Sequence, residues 1–167
     1  MSARADEMRD AFDRGFAEPV SAQRFGHSDV LCVGVGGEPF AIRVADIASL
    51  HAGLRIVALP SRASELLGVA AIRASVLPIY DLAAALALPG AGATRWIVVH
   101  RAGLAGFAFE HHEGHVRVPE GSMSAPAQRG HIVGQLALGG QRRLVIDLGS
   151  VLTAIEARCN LRSAKEQ

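Results

Sequence analysis

Glu65–Leu86 reads ELLGVAAIRASVLPIYDLAAAL, and His131–Leu152 reads HIVGQLALGGQRRLVIDLGSVL. The two stretches align without a gap, and Asp81 in the first copy lies opposite Asp147 in the second, 66 positions further on. Each copy holds an apolar run, a turn of small residues, a second apolar run, Asp-Leu and the start of a short helix. An order that is repeated in one small chain indicates two similar β-units side by side.

The segments around the repeat have the same short-strand character. Alternating or continuous apolar runs bounded by Gly-containing turns predict further strands. These strands fall at Val30–Val35, Phe40–Val44, Arg95–His100, Leu104–Glu110 and His112–Val118. About nine or ten short strands with a few short helices and no long crossover helix favour an all-β fold of two small barrels over a βαβ fold.

Less regular segments between these strands carry more specific expectations. Asp46–Leu50 resembles one helical turn, Arg55–Leu59 a strand, and Ser61–Leu67 a short helix capped by its serine. The repeat's first turn is predicted at Ala74-Ser75. Pro78 lacks an amide donor, so its strand is expected at a sheet edge or at a bulge.

The ends of the chain differ from the centre. Met8, Phe12 and Phe16 recur at four-residue steps and predict an amphipathic N-terminal helix over residues 5–17, which either packs on this protein's own barrels or binds a partner. We expect residues 1–27 to form this helix and a linker, residues 28–160 a domain of two β-barrel subdomains, and residues 161–167 a flexible tail. Asp81 and Asp147 are placed to cap the helices that follow them.

Composition argues against several classes of function. The 167 residues carry a formal net charge of +1, which provides no long-range attraction to nucleic acid or to acidic lipid. The N-terminal sequence is too charged for a signal peptide, and Pro78, Asp81 and Pro89 interrupt the longest apolar stretch, so no bilayer-spanning segment is predicted. Cys32 and Cys159 suggest no disulfide framework. We expect a cytoplasmic protein without direct membrane insertion.

The segment Glu110–His115 is the one candidate for a metal site. In a strand, His111, Glu113 and His115 share a face and could hold a metal ion, whereas the alternative is an exposed polar strand end. There is no phosphate-binding glycine loop, no G-x-S-x-G elbow and no activated cysteine, so we expect neither catalysis nor a cofactor.

Arg73 is the other candidate for a functional residue. It lies at the turn inside the first repeat copy, where the second copy has Gly139, so the scaffold itself does not require a charge there. An arginine on a rigid turn suits an interface anchor, and a solvated turn residue is the alternative. The residues alone leave both interpretations open.

At these residues the chain resembles the CheW family, the coupling proteins of bacterial chemosensory arrays. The segment LLGVAAIRASVLPIYDL, residues 66–82, is similar to the family's pattern "GV.NLRG..(V/L)P(V/I).DL", and the resemblance runs from about Val30 to about Ile155. It implies two intertwined five-stranded SH3-like barrels. The family's glycine after the arginine is replaced here by Ala74, which would be strained if the turn required a positive φ at that position.

The resemblance also implies a function. It implies a non-catalytic adaptor that couples the cytoplasmic tips of chemoreceptors to the regulatory domain of a CheA-type histidine kinase, and it is compatible with a location at membrane-associated receptor arrays. The resemblance places Val44, Ile47, Gly68 and Arg73 at the receptor groove, and we expect Val69 to line the groove as well. The alternatives are a divergent regulatory paralogue that binds only one of these partners, a metal-dependent enzyme that uses the histidine cluster, and a nucleic-acid-binding barrel.

Overall fold

Ten short strands make up most of the structure, a computed structural model that describes residues 26–90, 92–125 and 130–164. The helix predicted for residues 5–17 and most of its linker lie outside the described residues. In chain order the strands are β1 (His27–Val35), β2 (Glu38–Arg43), β3 (Ile47–Ala52), β4 (Leu66–Ile72), β5 (Ser75–Asp81), β6 (Trp96–His100), β7 (Gly106–Phe109), β8 (His111–Pro119), β9 (Ile132–Leu138) and β10 (Gln141–Ile146). A 3₁₀ turn spans Val44–Asp46, and two helices, α1 (Leu82–Ala85) and α2 (Leu148–Ala164), follow β5 and β10.

The strands form two five-stranded sheets that exchange strands between the halves of the chain. One sheet has the order β8-β1-β2-β10-β9, and the other has the order β3-β6-β7-β5-β4. Each sheet therefore takes two strands from one half and three from the other. This arrangement confirms the predicted mostly-β fold with two intertwined five-stranded units.

The internal repeat extends over both halves. The strands β4 and β9 begin 66 positions apart, at Leu66 and Ile132, and β5 and β10 are offset equally, at Ser75 and Gln141. The pairing repeats as well, because β5 runs parallel to β7 and β10 runs parallel to β2, while the other pairs are antiparallel. The strands β1 to β5 and β6 to β10 are therefore two copies of one unit.

Three clusters of buried apolar side chains hold the sheets together. Because successive residues of a strand point to opposite faces, Leu31, Val33 and Val35 of β1 enter the largest cluster, and Val30 enters a smaller one. The largest cluster draws on strands of both sheets and on both helices. Each smaller cluster belongs to one sheet. The two sheets thus share one central core, and each sheet has a minor core of its own.

Both helices begin at an aspartate. The Asp81 carboxylate accepts hydrogen bonds from the backbone N–H groups of Ala83 and Ala84 at 2.9 and 3.2 Å. The Asp147 carboxylate accepts equivalent bonds from Gly149 and Ser150 at 3.0 and 3.2 Å. These bonds satisfy amide donors that have no partner within the first helical turn.

Four local predictions are wrong. Residues 47–50, which were predicted to form a helical turn with Asp46, belong to β3 because they pair with β6. The helical turn that the structure has is the preceding 3₁₀ turn at Val44–Asp46. The predicted strand at residues 55–59 consists of a single bridge between Val57 and Val69. The predicted helix at residues 61–67 is a turn followed by β4. Pro78 lies in an interior strand, but pairing with β7 begins only at Ile79, so the missing amide donor leaves no carbonyl of β7 unpaired.

The C-terminal helix is longer than predicted. α2 continues through residues 161–164, which were expected to belong to a flexible tail, and residues 165–167 lie outside the described residues. Two features favour continuation: Ala, Arg and Leu are good helix formers, and Arg158 of α2 forms an ion pair with Glu65 at 3.2 Å. Among the described residues, no helix has the length and hydrophobicity required to cross a bilayer.

Candidate partner-binding surface

The turn between β4 and β5 is a two-residue loop with a strained backbone. Ile72 pairs with Ser75, so Arg73 and Ala74 are the loop residues, one position earlier than predicted. Arg73 has a φ of 55°, in the left-handed region, whereas Ala74 does not have a positive φ. The strain expected at Ala74 is therefore carried by Arg73 itself.

The second copy of the repeat shows what this position requires. Gly139 lies opposite Arg73 in the alignment and has a φ of 57°, and Gly140 has a φ of 79°. Glycine adopts this conformation without steric cost, whereas for other residues the left-handed region costs about 1–2 kcal/mol. The fold thus tolerates arginine at a position where glycine would be more stable, and residues held in such strain concentrate at functional sites.

Arg73 lies at one end of an exposed apolar surface. Val57 pairs with Val69, which pairs with Pro78 on the other side, so these three side chains form one row across three chain segments. The next row consists of Ala71 and Val76. We call Val57, Val69, Ala71, Arg73, Val76 and Pro78 the hairpin surface.

Two of the three valines of the hairpin surface are unusually open to solvent, whereas Val69 is half-buried. The side chains of Val76 and Val57 are 68% and 53% exposed, and nearby Leu59 is 45% exposed. Arg73 is also exposed and forms no hydrogen bond or ion pair within the described residues. Neighbouring apolar side chains that are exposed together are typical of a surface that binds another molecule.

Gly68 supports this surface from beneath and is not itself exposed. Its φ is 143°, and a Cβ at this position would lie 2.1 Å from the Val57 carbonyl oxygen. The absence of a side chain lets the chain around Val57 approach β4 closely. There the N–H of Val57 donates to the carbonyl of Val69 at 2.8 Å, and the N–H of Val69 donates back at 2.9 Å.

The structure divides the five predicted groove residues into two groups. Val44 lies in the 3₁₀ turn and Ile47 begins β3, and both are half-buried against the central core. In the strand order, β6, β7 and β5 separate β3 from β4, which carries Gly68 and Val69. Only these last two and Arg73 are therefore close in the sheet.

Sequence reasoning did not identify Val57 and Val76 as surface residues. The sequence contained a signal that Val76 is exposed, because Val76 is two positions from Pro78 on the same face of β5 and lies close to the turn. The sequence contained no such signal for Val57, because its place beside β4 depends on Gly68 and on a single bridge.

The histidine segment does not form a metal site in this structure. Glu113 of β8 binds Arg143 of β10, His115 lies 3.3 Å from Asp29 of β1, and the ring of His112 packs at 4.9 Å from that of Trp96. Among the described residues, no three side chains of His, Cys, Asp or Glu are placed to hold a metal ion. The candidates His111 and His115 are exposed residues of an outer strand.

Electrostatic shifts in this region come from ordinary ion pairs. The hydrogen bond from Arg117 holds the pKa of the Asp29 carboxyl below its usual value, although desolvation opposes the change. The same bond raises the pKa of Arg117. Burial raises the pKa of the Cys32 thiol, so this cysteine is a poor nucleophile.

Comparisons with known proteins agree with this fold. The family model for the CheW-like domain matches residues 29–156. The crystal structure of the scaffolding protein TtCheW from Thermoanaerobacter tengcongensis superposes with a TM-score of 0.65 at 15% sequence identity, covering 72% of this chain and 88% of that one. At this identity the likeness shows a shared fold. A search of curated proteins found no match. Because the family model covers most of the sequence, the chain belongs to the CheW-like domain family.

Proposed function

We propose that this protein is a non-catalytic, cytoplasmic adaptor of a bacterial chemosensory system. It couples the cytoplasmic tips of methyl-accepting chemoreceptors to the regulatory domain of a CheA-type histidine kinase. Family membership supports this proposal, as does the likeness to a protein described as a scaffold.

The observation that carries the proposal is the strained arginine. Arg73 is exposed, it has a φ of 55°, and the equivalent residue of the second unit is a glycine. An interaction within the fold does not explain the arginine, because Arg73 has no polar partner among the described residues. A partner outside the chain does explain it, because the rigid turn presents five N–H donors with little loss of conformational freedom on binding.

The hairpin surface supplies the apolar part of the proposed receptor contact. An apolar edge of a receptor helix lies against Val57, Val69 and Val76, and burial of these valines drives association. Arg73 then fixes the register of the helix through a carboxylate or a backbone carbonyl. The surface that binds the kinase is a different one, so that both partners can be bound at once.

Charge reversal at the turn tests the receptor contact. Arg73→Glu should weaken binding of a receptor cytoplasmic fragment by about 2 kcal/mol, or about 30-fold in Kd, because central interface arginines commonly contribute this much. The matched control is Arg142→Glu, since Arg142 is an exposed arginine on the equivalent hairpin of the other unit. The control should bind the receptor fragment as the wild type does.

Titrations with the receptor fragment and with the kinase regulatory domain are made separately. Equal receptor affinity of the wild type and Arg73→Glu would rule out the proposed contact. If the wild type binds one partner and not the other, the protein is a divergent regulatory paralogue and not a coupling protein.

A further inference from the structure

An apolar groove lies beside the sheet that contains β2, β9 and β10, whereas the hairpin surface lies on the other sheet. The groove has a volume of about 420 Å³ and is bordered by the residues that follow α1 and by β2, β9 and β10. We call it the α1 groove, and its lining includes Phe40, Leu86, Leu88, His131, Ile132 and Leu144. Leu144 is 38% exposed at its edge.

The repeat shows which structural element occupies the equivalent place beside the other sheet. Glu65 and His131 correspond, because their carbonyls accept equivalent hydrogen bonds from the backbone N–H groups of Asp81 and Asp147 at 2.7 and 2.8 Å. At Glu65 the place is occupied by α2, whose Arg158 reaches the Glu65 carboxylate at 3.2 Å. α2 thus begins after β10 of one sheet and reaches Glu65, directly before β4 of the other sheet.

Among the described residues, no helix extends over His131 in the same way. α1 ends at Ala85, where the N–H of Leu88 bonds to the carbonyl of Ala83 at 2.9 Å and the N–H of Ala87 bonds to that of Ala84 at 3.1 Å. Ala87 has a φ of 57°, which completes a Schellman ending, and Pro89 follows. A continued α1 would run along the α1 groove, as α2 runs past Glu65. The groove is therefore an open helix position.

We propose that the N-terminal segment of this chain, residues 5–17, binds in the α1 groove as an amphipathic helix. Its apolar stripe of Met8, Phe12 and Phe16 has helical spacing, and a groove lined by leucine, isoleucine and phenylalanine suits such a stripe. The polar residues of the segment, among them Asp6, Asp10 and Asp13, then face solvent. The N-terminal segment of the same chain thus supplies a helix at the position that α1 leaves open by ending at Ala85.

The length of the connecting chain permits this placement. The groove residue Phe40 pairs with Val33, and β1 begins six residues before Val33, at His27. His27 is therefore about 20 Å along β1 from Val33, the residue that pairs with Phe40 of the groove. The residues 18–26 can span up to about 30 Å when extended. Attachment to the same chain also raises the effective concentration of the helix at the groove.

Paramagnetic relaxation enhancement in the full-length protein tests this inference. A nitroxide label is attached at Asp10→Cys in a Cys159→Ser background, because position 10 faces away from the stripe and Cys32 is buried. The methyl signals of Leu86, Leu88, Ile132 and Leu144 should lose most of their intensity. Adding Phe12→Asp to the labelled chain should restore these signals.

The control variant and the sample composition make the outcome decisive. Leu144→Asp should also restore the remaining groove signals, whereas Leu104→Asp, which changes an exposed leucine in the β6–β7 loop, should not. Groove methyls that keep their intensity, or that stay broadened with Phe12→Asp, would overturn the proposal. So would broadening that arises only between labelled and unlabelled copies in a mixed sample, since the occupant would then be a second copy.

Discussion

Replacing Arg73 by glycine should make the protein more stable and, at the same time, weaken its binding to the receptor. The left-handed φ of 55° costs arginine about 1–2 kcal/mol, and glycine does not incur this cost. Glycine loses about 0.4–1 kcal/mol through the greater freedom of the unfolded chain. The net gain in the free energy of unfolding is about 0.5–1 kcal/mol, which corresponds to a rise in Tm of about 2 °C for a chain of this size.

Two assays on the same preparation measure the opposed effects. Urea unfolding gives the free energy of unfolding, and titration with a receptor cytoplasmic fragment gives Kd, which should rise about 30-fold in Arg73→Gly. Arg73→Ala keeps the backbone strain and removes the guanidinium, so it should lose affinity without gaining stability. The reciprocal Gly139→Arg should lose about 1 kcal/mol of stability and bind the receptor fragment normally.

A glycine variant that is no more stable than the wild type would refute the strain argument. A glycine variant that is more stable but binds equally well would refute the functional explanation of the strain. The two failures are distinguishable, because stability and affinity are measured independently.

Three further predictions concern other parts of the fold. Asp147→Ala should lower the free energy of unfolding by about 1 kcal/mol in urea, because α2 loses its N-terminal cap; an unchanged midpoint would contradict that role. The hydrogen bond from Arg117 lowers the pKa of Asp29, so the pair stabilises the fold above the ordinary carboxyl pKa and loses this effect as the pH falls through the lowered folded pKa. Arg117→Gln should therefore reduce the acid sensitivity of the urea midpoint below about pH 4. A thiol reagent should label exposed Cys159 in the native protein and Cys32 only after unfolding, and fast labelling of both would show that the β1 core opens readily.

The repeated unit could be predicted from the sequence because both copies carry the same alternation and the same Asp-Leu boundary. The aspartates and the buried faces of β4, β5, β9 and β10 follow from that local pattern. The exchange of β3 and β8 does not follow from this local pattern, because it depends on pairing between the two halves of the chain. Only the family resemblance led us to expect intertwined units. Residues 47–52 are half-buried or exposed throughout, so no clear period distinguishes them from a helical turn.

The candidate site was predictable in part. Arg73 stood out because its counterpart is Gly139, and that same glycine indicates the left-handed backbone that the turn imposes. The sequence could not show that β3, which begins at Ile47 directly after the 3₁₀ turn that contains Val44, lies at the opposite edge of the sheet from β4, because strand order is a tertiary property. It also could not place Val57 beside β4.

The most direct test of the coupling role is sedimentation of this protein with a receptor cytoplasmic fragment and a CheA-type regulatory domain from the same organism. We expect a single complex that contains all three components, with Arg73→Glu releasing the receptor fragment and retaining the kinase domain. Two partners that displace each other, or a kinase domain that is lost together with the receptor fragment, would contradict an adaptor with separate surfaces.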